Sequence, residues 1–495
     1  MGKSKTHTQS EIDGIQYRRA KTWQIALAQM NSGSSMCFYI LIGYASYVGN
    51  LGYGIATALI GMIITGTRIF DGITDPLLAM LIDKTSTRFG KLRIFMFGGW
   101  LIEMLAVFMM FNWFSGKGYG VVIFILIYML YIIGYTMNNM AGQIIGPVLT
   151  NDPKQRPTVS VWSTVYNYIV PMVVSMGITV GILPRYGNEY TVPMLAAACA
   201  FAVTVSFVLQ ILACVGVSSV DKPENFMGVN AKNSKEKVKA RDAIALLKSN
   251  RALQTYIIAA TSDKLAIQTA GQTIVTTMMY GIIIGNMQLS TIVSMVAMLP
   301  SIIFAIFGAR YAGKHGSKKS VVTWTWYSLI VGIVMAVFFI VTYSFTISEV
   351  IPLIVIFFLL TLIFNGCKMC ITTATAAMMA DIIDYELDRS GKYMPGTITG
   401  VYSFIDKMVS SLGATVAAGC VALIGYTTVM PQPTDEKTPA IFVMTIILTY
   451  GLPILGWICT LVALKYSPLS KEKMVEVQKN IQDKKEQATE DEKFY

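Results

Sequence analysis

Long apolar stretches separated by short polar segments run along most of this 495-residue chain. A transmembrane helix needs about 20 mostly apolar residues. The pattern therefore predicts twelve transmembrane helices, at residues 24–48, 55–82, 92–113, 120–149, 159–183, 192–218, 252–285, 290–312, 320–345, 350–384, 396–427 and 438–466. The expected fold class is an all-α membrane protein.

Polar segments divide the predicted helices into two groups of six. The expected parts are a cytoplasmic N-terminal tail (1–23), a six-helix bundle (24–218), a cytoplasmic linker (219–251), a second six-helix bundle (252–466) and a charged, partly disordered cytoplasmic tail (467–495). LIDKTSTRFGKLR follows helix two, and ARYAGKHGSKKSV follows helix eight. Both segments combine small residues, glycine and a basic cluster, so we expect two pseudo-symmetric bundles related by a parallel repeat.

Composition supports the membrane interpretation, because only 14% of the residues are charged and 54% are hydrophobic. Soluble chains carry about 25% charged residues. The formal net charge of +11 comes largely from loops on one predicted side of the membrane. The positive-inside rule then places both termini in the cytoplasm of a multi-pass protein of the inner or plasma membrane. Topology explains this basic excess, so we expect no nucleic-acid partner.

Helix two carries three charges, Arg68, Asp71 and Asp75, in TRIFDGITDP. Spacings of three and four residues place them on one helical face. Two carboxylates this close repel each other, and one holds its proton more tightly unless a cation lies between them. This chemistry suits a coupling site for Na⁺ or H⁺, with Arg68 neutralising the pair. The alternative is a buried ion pair that only stabilises packing.

Further polar side chains interrupt later helices. In helix four Thr136, Asn139 and Gln143 share one stripe, where helix–helix hydrogen bonding is an equally good explanation. Other such residues are Asp263, Lys264 and Gln268 in helix seven, Lys368 in helix ten, and Asp406 and Lys407 in helix eleven. Charges at membrane depth cost at least about 2.5–3.5 kcal/mol, which makes them candidates for function.

Enzymatic chemistry has little support in the sequence. Both histidines, His7 and His315, lie in polar segments, and the cysteines lie in apolar stretches. No nucleophile–base pair or metal cluster can be assembled, so we expect no enzyme and no cofactor. The only metal expected is a coupling Na⁺ at Asp71 and Asp75.

The segment RIFDGITDPLLAMLIDKTSTRFGKLR closely resembles the signature of the glycoside–pentoside–hexuronide:cation symporters. That family is a branch of the major facilitator superfamily and includes melibiose permease-like proteins. Further similar segments are NDPKQRPTVS, MMADIIDYE and the stretch from Lys407 to IGY at 424–426. The resemblance implies a twelve-helix fold with a cation bound by Asp71 and Asp75, assisted by Thr136, and with Lys407 nearby.

Departures from the family pattern concern the sugar pocket. Asn31 is nearest to the position of a helix-one aspartate, and Asn139 and Gln143 replace a helix-four acid and an aromatic residue. The resemblance therefore implies intact cation machinery with an altered solute pocket. We expect this pocket to use Asn31, Asn139, Gln143, Asp263, Lys264, Gln268 and Lys407. Loop charges Asp83, Arg88 and Lys91 are the predicted cytoplasmic gate.

These observations predict a secondary active transporter that moves a sugar, glycoside or uronate into the cytoplasm by alternating access, in symport with Na⁺ or H⁺. One alternative keeps the fold and carries an aromatic or lipid-like solute. Another is a membrane sensor that transports nothing. The expected partners are a small-molecule solute and membrane lipids, and the expected functional form is a monomer.

Overall fold

A computed structural model describes residues 19–67, 70, 92–150, 156–221, 246–391 and 395–493. Its described part is helical, without strands. We number the helices in chain order: α1 Thr22–Ile42, α2 Thr57–Thr67, α3 Leu92–Trp113, α4 Gly120–Leu149, α5 Arg156–Met176, α6 Val192–Val217, α7 Arg251–Ala270, α8 Gln288–His315, α9 Ser317–Val341, α10 Ile351–Ser390, α11 Pro395–Leu423, α12 Pro439–Lys465 and α13 Lys471–Lys493.

The all-helical membrane fold is confirmed, whereas the count of twelve spans is not fully reproduced. Nine helices of the described chain are long and apolar enough to cross a membrane, or ten if one bent pair is a single span. Thr273–Ile283 and Gln288–Ala297 form that pair, which bends by 108°. The prediction of one continuous helix over 252–285 is therefore wrong. Helix α7 ends at Ala270, and its polar residues keep it outside the set of apolar spans.

The chain divides into two compact units, residues 1–233 with 428–430, and residues 234–427 with 431–495. Within the first unit α1 packs against α5 and α6, and α3 packs against α4. Within the second, α7 packs against α11 and α12, and α9 packs against α10. The same pairing thus recurs six helices later in the chain.

Two glycines allow α3 and α4 to cross closely. A Cβ atom on Gly134 would lie 2.5 Å from the backbone nitrogen of Glu103, and one on Gly99 would lie 2.7 Å from that of Asn138. Neither contact is sterically possible. Small residues let helix backbones approach in this way inside membranes, where packing and hydrogen bonds drive association.

Several helices begin at residues suited to capping. The side chains of Thr191, Asn250 and Thr438 accept hydrogen bonds from backbone N–H groups in the first turns of α6, α7 and α12. These bonds satisfy donors that have no partner within the helix. They position the starts of helices that carry candidate site residues.

The C-terminal tail is helical in α13, so the prediction that it is partly disordered is wrong for this segment. Val477 and Ile481 are buried on one face of the helix. Gln478 donates from Nε2 to Oδ2 of Asp384 over 2.7 Å, and Asn480 donates from Nδ2 to Oδ2 of Asp388 over 3.1 Å. A charged segment orders here because α10 continues to Ser390 and offers these acids as acceptors.

Candidate transport site

Most of the predicted cation machinery lies outside the described residues: Arg68, Asp71 and Asp75, together with the predicted gate residues Asp83, Arg88 and Lys91. The side chain of Gln143 is also outside the described part, although its backbone belongs to α4. The geometry below therefore concerns the remaining candidates.

A buried polar network links α1, α3, α4 and α6 in the first unit. Gln210 donates from Nε2 to Oδ1 of Asn31 over 3.1 Å and to the carbonyl oxygen of Met96 over 2.9 Å. Asn138 donates from Nδ2 to Oγ of Ser35 over 3.2 Å. Asn31 is 2% exposed, so its amide serves contacts between helices. Gln210 is a residue that the sequence analysis missed, although a glutamine within an apolar run was a signal.

The other helix-four candidates differ in their surroundings. Thr136 is buried on α4, while Asn139 is exposed on the surface of its unit. Asn138, which lies between them in sequence but outside their stripe, makes the contact with α1 instead. Thus Asn139 has an exposed side chain, whereas Asn138 holds helices together.

Glu103 places a carboxyl group in the interior of the first unit. Its side chain is fully buried beside Asn138. Neither carboxyl oxygen accepts a hydrogen bond of standard geometry from the described residues. A buried carboxylate without a partner is costly, and a neutral group of the same shape is cheaper at such a position.

The second unit contains a cluster of charges and aromatic rings that we call the acid–lysine cluster. It comprises Asp263 on α7, Lys368 on α10, Tyr402 and Asp406 on α11, and Trp457 on α12. Trp457 is fully buried and donates from Nε1 to Oδ1 of Asp263 over 3.0 Å. This bond orients the carboxylate and leaves its other oxygen for a further donor.

Lys368 is the cation that interacts most strongly with Asp263, and the exposed Lys264 makes a weaker electrostatic contribution. The side chains of Asp263 and Lys368 do not form a direct ion pair among the described contacts. The ammonium group instead lies 5.1 Å from the ring centroid of Phe364, one turn earlier on α10. A lysine has three donors, and within the described chain no hydrogen bond uses those of Lys368. A solute oxygen could therefore bind between the two charges.

Tyrosines extend the cluster toward Asp406. The hydroxyl of Tyr402 donates to Oδ1 of Asp406 over 3.4 Å. The ring of Tyr402 packs edge-on against the ring of Tyr256, with 5.1 Å between the ring centroids. Tyr402 also interacts electrostatically with Asp263. The cluster and its neighbour Tyr256 thus combine two acids, a lysine, hydroxyl groups and ring faces, which together can bind a polar ring-shaped molecule.

The remaining second-unit candidates lie around this cluster. Lys264 and Lys407 are exposed, whereas Gln268 is half-buried and packs beside Gly413 of α11. Adjacent positions on a helix point about 100° apart, and Asp263 and Lys264 accordingly occupy different surroundings. Sequence reasoning noticed Lys368 but did not include it in the site. It had no signal for Trp457, because an aromatic residue in an apolar helix is ordinary.

Known proteins resemble this chain in sequence and in fold. A family model described as MFS/sugar transport protein matches residues 24–471. The putative glycoside/cation symporter YagG of Escherichia coli (strain K12) is 23% identical over 378 residues, which are 76% of each chain. The uncharacterized symporter YjmB of Bacillus subtilis (strain 168) is 22% identical over 405 residues, covering 80% of this chain and 81% of that one. The crystal structure of the nucleoside transporter NupG shares the fold with a TM-score of 0.60, at 14% identity, over 89% of this chain and 99% of that chain.

Proposed function

The chain belongs to the family described as MFS/sugar transport protein, and we propose that it is a cation-coupled symporter for a sugar, a glycoside or a uronate. It is a multi-pass membrane transporter and not an enzyme. The proposed direction is into the cytoplasm, by alternating access. The proposed location is the inner or plasma membrane, with both termini in the cytoplasm.

One observation carries the solute part of this proposal: the separated charges of Asp263 and Lys368 in the middle of two packed helices. A charge inside a membrane helix is costly unless it is compensated or used. Here the carboxylate is oriented by Trp457, and the ammonium keeps donors available. Sugar hydroxyls both donate and accept hydrogen bonds, so one hydroxyl could bridge the two charges. The half-buried state of both side chains supports access by a solute.

The coupling part rests on Asp71 and Asp75. These carboxylates are one turn apart in the sequence of helix two and resemble the cation ligands of the cation-symporter family named above. Similarity to a protein named as a putative glycoside/cation symporter supports coupling to a cation. Cation binding there would favour the state that binds solute, and linkage requires that solute favour cation binding equally.

Replacing Asp71 or Asp75 by asparagine tests the coupling. We expect cation-stimulated uptake to be lost, because removing one charged ligand weakens a desolvated ionic site by about 3–5 kcal/mol, or at least two orders of magnitude in affinity. The measurement is solute uptake by proteoliposomes across a Na⁺ titration and, separately, a pH gradient.

Glu103→Gln is the matched control, since it also replaces an acid by an amide at membrane depth in the first unit. Its cation dependence should equal that of the parent protein. If both helix-two variants keep the parent's cation dependence, the pair is structural and the coupling proposal is wrong.

A thermal-shift screen of the purified protein against sugars, glycosides and uronates, with and without Na⁺, tests the solute class. The solute that stabilises the parent should stabilise Asp263→Asn less, while cation binding stays nearly unchanged. Equal solute affinity in the two proteins would assign Asp263 to packing.

A further inference from the structure

A cavity of about 890 Å³ lies at one end of the second unit, away from the acid–lysine cluster. Its walls are the end of α8, the start of α9, the second half of α10 and the start of α13. Small and apolar residues form much of the lining, among them Ala309, Ala312, Gly313, Ala377 and Leu469. The space is large enough for part of an organic molecule with an apolar body.

Basic side chains surround this cavity. Lys318 donates from Nζ to the carbonyl oxygen of Ser467 over 2.5 Å, and Lys471 donates from Nζ to that of Lys314 over 2.9 Å. Both lysines line the cavity, and each retains further donors. Lys319 also lines it and is exposed. The ammonium groups therefore stand around an apolar space.

Two acids line the cavity as well, but both have partners. Asp381 accepts a hydrogen bond from the hydroxyl of Ser317. Glu472 is near Ser470 and Lys471, and hydrogen bonds from its own backbone N–H and from Ser470 lower its pKa. Three lysines and two acids thus line the cavity, so the acids compensate the positive charge only in part.

The pKa of His315, which also lines the cavity, is lowered by desolvation and by the positive charge of the lysines around it. Desolvation lowers its pKa, and Lys319, Lys314 and Lys471 lower it further. A positive potential at the ring is the physical cause of the effect of the lysines. In addition, the first-turn N–H groups of α9, at Ser317, Lys318 and Lys319, have no acceptor within their own helix. They begin directly after Gly316, at the same cavity.

We propose that this cavity binds an anionic phospholipid, with the phosphate group at Lys319 and the start of α9 and an acyl chain against the apolar wall. Charge complementarity selects the anion, and the apolar volume selects a lipid over a free phosphate compound. The basic loops place this end of the unit at the cytoplasmic surface in the predicted topology, where anionic lipids attract basic pockets between transmembrane helices. The site is separate from the proposed solute site and does not depend on the substrate.

The experiment uses the purified full-length chain in neutral detergent. Native mass spectrometry measures retention of phosphatidylglycerol and of phosphatidylcholine with the same acyl chains. We expect preferential retention of phosphatidylglycerol, and Lys319→Gln should weaken it about fivefold, since a lysine near an anionic surface contributes about that factor. Lys465→Gln removes an exposed lysine outside the cavity and should retain phosphatidylglycerol as the parent does.

A second variant tests the apolar wall. A Cβ on Gly313 would meet no atom within 4 Å, so Gly313→Phe can fill the cavity without a clash at the backbone. We expect it to lose phosphatidylglycerol while keeping the parent's melting temperature in lipid-free detergent. Equal retention of the two lipids by the parent, or equal retention of phosphatidylglycerol by the Lys319 and Lys465 variants, would overturn the proposal. So would binding of soluble glycerol phosphate as tight as that of phosphatidylglycerol, because the ligand would then be a free phosphate compound.

Discussion

Asp263 and Lys368 illustrate, at the scale of single residues, how a membrane helix accommodates charge. Their charges attract each other across a gap, and Trp457 orients the acid. Such an arrangement is less stable than a direct ion pair, because each charge keeps some unsatisfied hydrogen-bonding capacity. In a binding site this loss of stability is offset when a solute supplies the missing hydrogen bonds.

The variants Asp263→Asn and Lys368→Gln should each lower the melting temperature of the solute-free protein. Asp263→Asn leaves a lysine without compensation in the middle of a helix, which costs about 2.5–3.5 kcal/mol on insertion scales. The double variant removes both charges and should recover part of the loss. Thermal unfolding of the four proteins in detergent gives the coupling energy. Additive losses would show that the two charges do not interact.

Helix crossings set the geometry at the scale of elements. The contact between α3 and α4 brings Glu103 beside Asn138, and it exists because Gly99 and Gly134 have no side chains. The backbone atoms that a Cβ would meet cannot rotate away, unlike the end of a flexible side chain. A methyl group added at either glycine would therefore force the two helices apart.

Neighbouring glycines of α3 provide a matched pair for this prediction. Gly99→Ala should lower the melting temperature by an amount corresponding to about 1–3 kcal/mol of overpacking. Gly98→Ala should leave it unchanged or raise it slightly, because its Cβ would meet nothing within 4 Å and alanine favours helix over glycine. Scanning calorimetry or a thermal-shift assay compares the two. Equal melting temperatures would contradict the close crossing.

The orientation of the loops relative to the membrane is a property of the whole molecule. Basic residues concentrate in alternate loops, and the positive-inside rule predicts that those loops are cytoplasmic. Lys235 lies in the predicted cytoplasmic linker, while Lys117 is an exposed residue between α3 and α4, on the side predicted to face outward.

Labelling of Lys235→Cys and Lys117→Cys with a membrane-impermeant maleimide tests this orientation. In intact cells only the Lys117→Cys protein should react above the background of the parent, and permeabilised cells should label both. Reaction of Lys235→Cys in intact cells would reverse the proposed topology, since the reagent cannot cross the bilayer.

Much of the architecture follows from sequence because the bilayer acts on local composition. Burying about 20 apolar residues in hydrocarbon stabilises a helix wherever it stands in the chain, so α1 and α3–α6 occur close to their predicted bounds. The same argument fails for α7, whose polar residues interrupt the apolar run. It also fails for α13, which is ordered by acids on α10 that sequence patterns cannot assign to it.

By itself, then, the sequence determined the helical membrane class, the order of the helices and the charged residues that need an explanation. Only the tertiary structure decided which of these residues meet. Asn138 rather than Asn139 contacts α1, and Lys368 rather than the adjacent Lys264 carries the charge half-buried near Asp263. The physical reason is that hydropathy depends on each segment alone. Contacts depend on helix rotation and crossing, which side chains distant in sequence set together.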